Sequence, residues 1–191
     1  MARIVAELEA TIQALLDQGR EHDAMTAAVR GYGPAVLGFL VSSLKDKDTA
    51  KDVFSQACEN LWRNIAGFRR ECAFGTWFYV LAWNAAKNQL NEAHRRRVRR
   101  LQTSEISQLV APIRSTGVSH LRGEAARLRD SLTPEERTLL ILRIDRAMPW
   151  GDVARVMEVD EPVLRKRYER IRRKLKRGAE AGGLIKPQGM R

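Results

Sequence analysis

The segment 162–177, PVLRKRYERIRRKLKR, holds nine basic side chains and one acidic one. The segment 94–100, HRRRVRR, holds five basic side chains and no acidic one. Such side chains neutralise phosphates, and an arginine can donate two parallel hydrogen bonds to a base edge. The whole chain of 191 residues carries a formal charge of +11. The two segments exceed that total, so the remaining sequence is close to neutral. Positive charge concentrated in two short elements points to two contacts with a polyanion, not to a general solubility device.

Enzyme chemistry is not visible. His22, His94 and His120 lie far apart, and Cys58 and Cys72 lack metal-ligand spacing. The chain has no phosphate-binding loop, no dinucleotide fingerprint and no nucleophile elbow. No catalytic residue, metal or cofactor is expected. Two cysteines exclude a disulfide-stapled scaffold and point to a reducing, cytoplasmic setting. No apolar run approaches the ~18 residues of a membrane span. Glu7 and Glu9 interrupt the apolar N-terminal stretch, which argues against a signal peptide.

The elements that must position the basic segments read as helices throughout, with no strand pattern and no internal repeat. Ile4, Val5, Leu8, Ile12, Leu15 and Leu16 form a first stripe. A second helix is expected over 21–44, broken or kinked at Gly31, Gly33 and Pro34. A third is expected to start at a Thr49–Asp52 capping box. Its inner stripe is Val53, Phe54, Ala57, Leu61, Trp62 and Ile65, and its outer face is Asp52, Ser55, Gln56, Glu59 and Arg63. After a short loop, Arg69 to Cys72, a long helix starts near Phe74 and runs into the first basic cluster. Trp77, Phe78, Leu81, Ala85 and Leu90 face inward on it, while Tyr79 and Trp83 fall off that stripe.

Residues 98–120 are Ser-, Thr- and Gln-rich, with a Pro and a Gly, and read as a linker with one helical turn near Ile106–Val110. A second helical unit spans 121–180, followed by a tail over 181–191. Leu121, Ala125, Leu128 and Leu132 form its first stripe. Thr133, Pro134 and Glu136 spell a strong helix start ahead of the apolar body Leu139 to Ile144. A short helix Trp150 to Met157, a connection Glu158 to Asp160 and a basic helix from Glu161 then form a helix-turn-helix pattern. In the last helix Leu164, Tyr168, Ile171 and Leu175 share one face, leaving Arg165, Lys166, Arg167, Arg170 and Arg173 on the other. Such a helix fits the major groove of DNA. The first basic run closes a helix with aromatics and amides (Asn84, Asn88), residue types that stack on and hydrogen-bond to opened bases.

These segments together resemble the bacterial sigma factors of RNA polymerase, specifically the small extracytoplasmic-function type. AKDVFSQACENLW (50–62) and FRRECAFGTWFYVLAWNAAKNQLNEAHRRR (68–97) are similar to the family's region 2. LTPEERTLLILR (132–143), WGDVARVM (150–157) and VLRKRYERIRRKLKR (163–177) are similar to region 4. The resemblance implies an all-α chain of two small domains, region 2 over 1–97 and region 4 over 121–180. It implies core RNA polymerase and promoter DNA as partners, with no membrane insertion. The polymerase would meet Asp52, Ser55, Gln56 and Glu59. Bases of the minus-ten element would meet Arg69, Arg70, Phe74, Trp77, Tyr79, Asn84, Lys87, Asn88, Arg95 and Arg96. The minus-thirty-five element would meet Arg165, Lys166, Arg167, Arg170 and Arg173. The short linker leaves no room for the extra helical domain of larger sigma factors.

This sequence departs from the family pattern at several positions. Ser55 and Gln56 replace the usual Gln and Glu, Lys51 an acidic residue, and Trp83 a basic or small one. Glu158 occupies the turn position where Gly is usual, and Pro162 and Val163 alter the start of the recognition helix. The changes at 51, 55 and 56 motivate an alternative, a helix-turn-helix regulator without sigma activity. With no fused regulatory domain in view, a separate anti-sigma partner is a candidate for control.

Overall fold

The structure, a computed structural model, describes residues 2–103 and 131–181, with side chains over 4–96 and 131–180. Among the described residues it is all helix: α1 (Ala2–Asp17), α2 (Glu21–Leu44), α3 (Lys47–Asn64), α4 (Phe74–Thr103), α5 (Pro134–Leu140), α6 (Trp150–Met157) and α7 (Glu161–Ala181). A 3-10 turn, Ile65–Gly67, follows α3, and a π-helical turn, Ile141–Asp145, continues α5. The expected turn at 106–110 and the stripe at 121–128 lie outside the described residues.

Helix α2 is the centre, packed against α1, α3, α4 and α5. It is long and apolar enough to cross a membrane, contrary to the sequence expectation. Its buried Ala24, Ala28, Val36, Phe39 and Leu40 instead meet the other helices, as a core helix requires. It also runs without a break through Gly31, Gly33 and Pro34. Gly31 serves packing: a Cβ there would fall 2.2 Å from a methyl of Leu8 on α1. The helix stops at Lys45, whose left-handed φ of 60° turns its N–H back onto the Val41 carbonyl.

The caps explain the other boundaries. Helix α3 begins at Lys47, not Thr49, because Asp46 is its cap and accepts from the Thr49 N–H at 3.0 Å. The Thr49 hydroxyl, and then the Thr49 N–H, hold the Asp46 carboxyl below its usual range. Thr133 and Glu136 form the expected reciprocal capping box, at 3.2 and 3.0 Å. Helix α4 reaches Thr103, so the first six residues of the expected linker, 98–103, are helical.

Several inward assignments need correcting. Ile4 and Val5 are 69 % and 47 % exposed, because α1 presents only Leu8, Ile12, Leu15 and Leu16 to the core. Trp62 is half exposed and meets the His22 ring at a steep angle, 5.9 Å between centroids. Ile144 is also exposed, since the π-helical turn rotates it outward. Tyr79 and Trp83, expected off the stripe, are buried edge-on against Phe39 of α2 at 5.3 and 6.3 Å. An aromatic pair in such geometry adds roughly 0.5–1.5 kcal/mol beyond burial.

The two halves share a hydrophobic core. Ser43 of α2 and Thr138 of α5 are fully buried and joined by a 3.1 Å hydrogen bond. Arg137 donates twice to the Ser43 carbonyl, at 3.2 and 3.0 Å, and Arg146 donates to the Ala35 carbonyl at 2.9 Å. Helix α6 lies against α4.

Candidate nucleic-acid interface

Helix α7 buries Leu164 and Ile171 and half-buries Tyr168 and Leu175, as the stripe predicts. Lys166, Arg167, Arg170 and Arg173 stand exposed on the opposite side. Arg165 is held more firmly. Its Nε and Nη2 both donate to Glu161 Oε1, at 2.8 and 2.6 Å, and its guanidinium lies 4.9 Å from the Trp150 ring centre. Arg143 approaches the same ring at 5.0 Å, and Tyr168 meets it edge-on at 5.4 Å. Sequence reasoning missed Trp150 as the platform under Arg165. Its place at the first turn of α6, fifteen residues before Arg165, carried no signal.

The turn before α7 holds a second surprise. Glu158 takes the left-handed conformation, φ 55°, that usually calls for glycine. Its side chain then reaches α4: Lys87 Nζ donates to Oε2 at 2.7 Å and Asn84 Nδ2 donates to Oε1 at 2.9 Å. These two bonds, the lysine's first, hold the Glu158 carboxyl below its usual range. Asn84 and Lys87 are two of the residues expected at the minus-ten element. Asn84 is only half satisfied, because its buried Oδ1 meets no donor among the described residues.

The loop 68–73 and the start of α4 form a pocket of about 250 Å³, lined by Phe68, Arg69, Glu71, Trp77 and Arg155 among others. Phe68 and Trp77 stack with centroids 4.9 Å apart. Phe68 was missed as a member, although it directly precedes the arginine pair. Arg70, with a left-handed φ of 58°, pairs with Asp17 of α1. Glu71 faces Arg155 of α6 at 3.7 Å. Two expected contact residues are not at the surface. Phe74 is fully buried and Tyr79 is 4 % exposed, because both pack into the core of the first half. Burial also pushes the Tyr79 hydroxyl upward in pKa, with Arg146 opposing. Asn88, Arg95 and Arg96 are exposed, and Arg96 pairs with Glu92 at 3.1 Å.

On α3, Asp52, Ser55, Gln56 and Glu59 are all exposed. Gln56 Nε2 spans Glu59 and Asn60, at 3.4 and 3.3 Å. Asp52 and Gln56 line one polar groove of about 410 Å³ with Asn88, Gln89 and Glu92 of α4. No metal-holding group of His, Cys, Asp or Glu occurs among the described residues. Burial raises the pKa of both Cys58 and Cys72, which keeps them as thiols.

Comparison with known proteins places these features. Residues 28–100 match the Sigma-70 region 2 family. The chain is 28 % identical over 159 residues to the RNA polymerase sigma-H factor of Pseudomonas aeruginosa, covering 78 % of this chain and 82 % of that one. It is 26 % identical over 174 residues to the ECF RNA polymerase sigma-E factor of Haemophilus influenzae, covering 85 % and 92 %. Two solved structures share the fold. One is the sigma factor RpoE in complex with the anti-sigma factor NepR from Bartonella quintana, with TM-score 0.59, 18 % identity and coverage of 83 % and 96 %. The other is CnrH in complex with the cytosolic domain of CnrY, with TM-score 0.58, 17 % identity and coverage of 93 % and 96 %. The region 2 match lies on the segment that builds the pocket and the polar face of α4, and relatives aligned along most of their length carry the rest: residues 28–100 belong to the Sigma-70 region 2 family, and the chain as a whole is similar to RNA polymerase sigma factors, one of them of the extracytoplasmic-function type.

Proposed function

We propose that this chain docks core RNA polymerase on the exposed polar face of α3 and directs it to promoters through two separate DNA contacts. Asp52, Ser55, Gln56 and Glu59 form the polymerase face. The aromatic-walled pocket at Phe68, Arg69 and Trp77, with Asn84, Lys87, Asn88, Arg95 and Arg96 along α4, takes up unstacked bases of the minus-ten element. Extruding a base costs a few kcal/mol, which stacking and edge contacts offset. Lys166, Arg167, Arg170 and Arg173 meet the minus-thirty-five element, with Arg165 at the helix start as base reader. Domains follow this division: region 2 over 1–97, a linker over 98–120 and region 4 over 121–180. The chain acts without a catalytic group of its own, in the cytoplasm where polymerase works. An anti-sigma protein comparable to the one bound by RpoE in the first structural neighbour is a fitting regulator.

The observation that carries this reading is the region 2 match over 28–100, on the segment that holds both the pocket and the α4 face. The test is transcription from a genomic promoter library by core enzyme with and without this protein. Initiation at a distinct promoter set only in its presence is expected. A library left silent overturns the reading.

A further inference from the structure

Glu9 lies on α1, outside the matched segment 28–100. Its carboxylate nevertheless ends at the start of α4. Oε2 accepts from the Phe74 N–H at 2.9 Å, and Oε1 accepts from the Gly75 N–H at 2.8 Å. Oε1 also accepts from the Tyr32 hydroxyl at 2.6 Å. Phe74 and Gly75 open α4, and the first N–H groups of any helix lack carbonyl partners inside it. A carboxylate there also meets the positive end of the helix dipole. Glu9 is therefore a cap supplied from 65 residues away.

The packing around it is specific. A Cβ on residue 75 would lie 2.9 Å from the Tyr32 ring and 3.3 Å from Glu9 Oε1, so glycine alone allows this approach. Burial, and then the bond to Glu9, pushes the Tyr32 hydroxyl far above the usual tyrosine range and keeps it a neutral donor. Helix α1 grips the same loop a second time, because Asp17 accepts from Arg70. Arg70 sits in a left-handed conformation that a non-glycine residue rarely adopts and that needs an external hold.

We infer that Glu9 is a positioning residue for base capture: by capping α4 it fixes the far end of the loop 69–73 and the first turn that carries Trp77, and so sets the shape of the pocket. The inference rests on the sigma reading and extends it to a helix outside the matched region. The fixed loop end spares the holoenzyme the ordering of that segment when a base arrives.

The experiment uses the full chain assembled with core polymerase and promoters selected by the wild-type holoenzyme. 2-Aminopurine in the minus-ten strand reports base unstacking, and a minus-thirty-five duplex reports the other contact. Glu9→Ala should lower the unstacking equilibrium about tenfold, the scale of a lost helix cap. Glu9→Gln keeps an acceptor oxygen and should recover part of that loss. Tyr32→Phe removes the third bond, leaves the α4 cap intact, and should unstack as wild type. Minus-thirty-five binding and the thermal midpoint should stay close to wild type in the two conservative variants. Unstacking by Glu9→Ala at the wild-type level overturns the inference alone. An equal loss at both DNA elements overturns it as well, since it marks general misfolding. A wild-type holoenzyme that unstacks no promoter base overturns the sigma reading and the inference with it.

Discussion

Glu158 in the helix-turn-helix turn and Lys87 on α4 meet at 2.7 Å, so a residue of the second half covers a residue of the proposed DNA face of the first. Asn84 joins the same carboxylate at 2.9 Å. In this arrangement two expected minus-ten contacts are occupied by the protein itself. DNA must displace Glu158 to reach them. The lysine side chain is 33 % exposed and the glutamate 55 %, so the pair is screened and weak. Glu158→Gln should therefore raise the affinity of the free protein for a single-stranded minus-ten oligonucleotide by roughly two- to fivefold, matching the ≤1 kcal/mol of such a pair. Fluorescence anisotropy checks this, and unchanged binding would show that the contact restrains nothing.

The same pair fixes a pH dependence. Its bonds hold the Glu158 carboxyl below the usual range in the folded state. A depressed pKa contributes stability that is present above the unfolded value and lost as pH falls through the folded one. The contact between the halves should thus be constant near neutrality and weaken only below the ordinary carboxylate range. Energy transfer between dyes on α4 and α7 should decline there in the wild type. The Glu158→Gln variant should lack that component of the decline, because its amide does not titrate.

Thr138 and Ser43 give a second, buried hold between the halves, 3.1 Å apart and both fully covered. Thr138→Val keeps the shape and leaves the Ser43 hydroxyl without this partner. Leaving a buried polar group unpaired costs about 1–3 kcal/mol. The thermal midpoint should fall by several degrees, measured by circular dichroism. Replacing both residues with apolar ones of similar size, Ser43→Ala with Thr138→Val, should restore part of the loss.

Asp52 tests the polymerase face. It is exposed on α3, lining the groove with Asn88 and Glu92 of α4. Asp52→Ala should weaken pull-down of core polymerase and leave the binding of α7 to duplex DNA unchanged. The reverse pattern would move the polymerase contact elsewhere.

Much of the fold was readable from local pattern. The Thr133 box, the α6–turn–α7 unit and the start of α4 at Phe74 all follow from signals within a few residues. The misreadings share a physical origin. The Thr49–Asp52 spacing fits a cap, yet Asp46 three residues earlier accepts from the N–H of Thr49 itself and starts the helix sooner. Gly31 and Pro34 read as breakers, but packing against Leu8 and the core keeps α2 continuous. Tyr79 and Trp83 were off the stripe of one helix and buried by another. The site followed the same rule. Basic residues of α7 were visible by charge, while Glu9, Glu158 and Trp150 act through partners brought close only by the fold.

Arg165 offers the sharpest test of base readout. Glu161 holds one edge of its guanidinium and the Trp150 ring lies 4.9 Å away. A guanidinium fixed on two sides has little freedom left to lose on meeting a guanine edge. Arg165→Ala should cost about 1–3 kcal/mol of discrimination at one base pair of the minus-thirty-five element. Trp150→Leu should cost less, about 0.5–1 kcal/mol, the range of an exposed cation–π contact, and Trp150→Phe should recover part of it. Competition binding against single-base-pair variants of the element provides the measurement. If Arg165→Ala instead weakens all sequences equally and lowers the salt slope by about 1, Arg165 holds a phosphate and another residue of α7 reads the base.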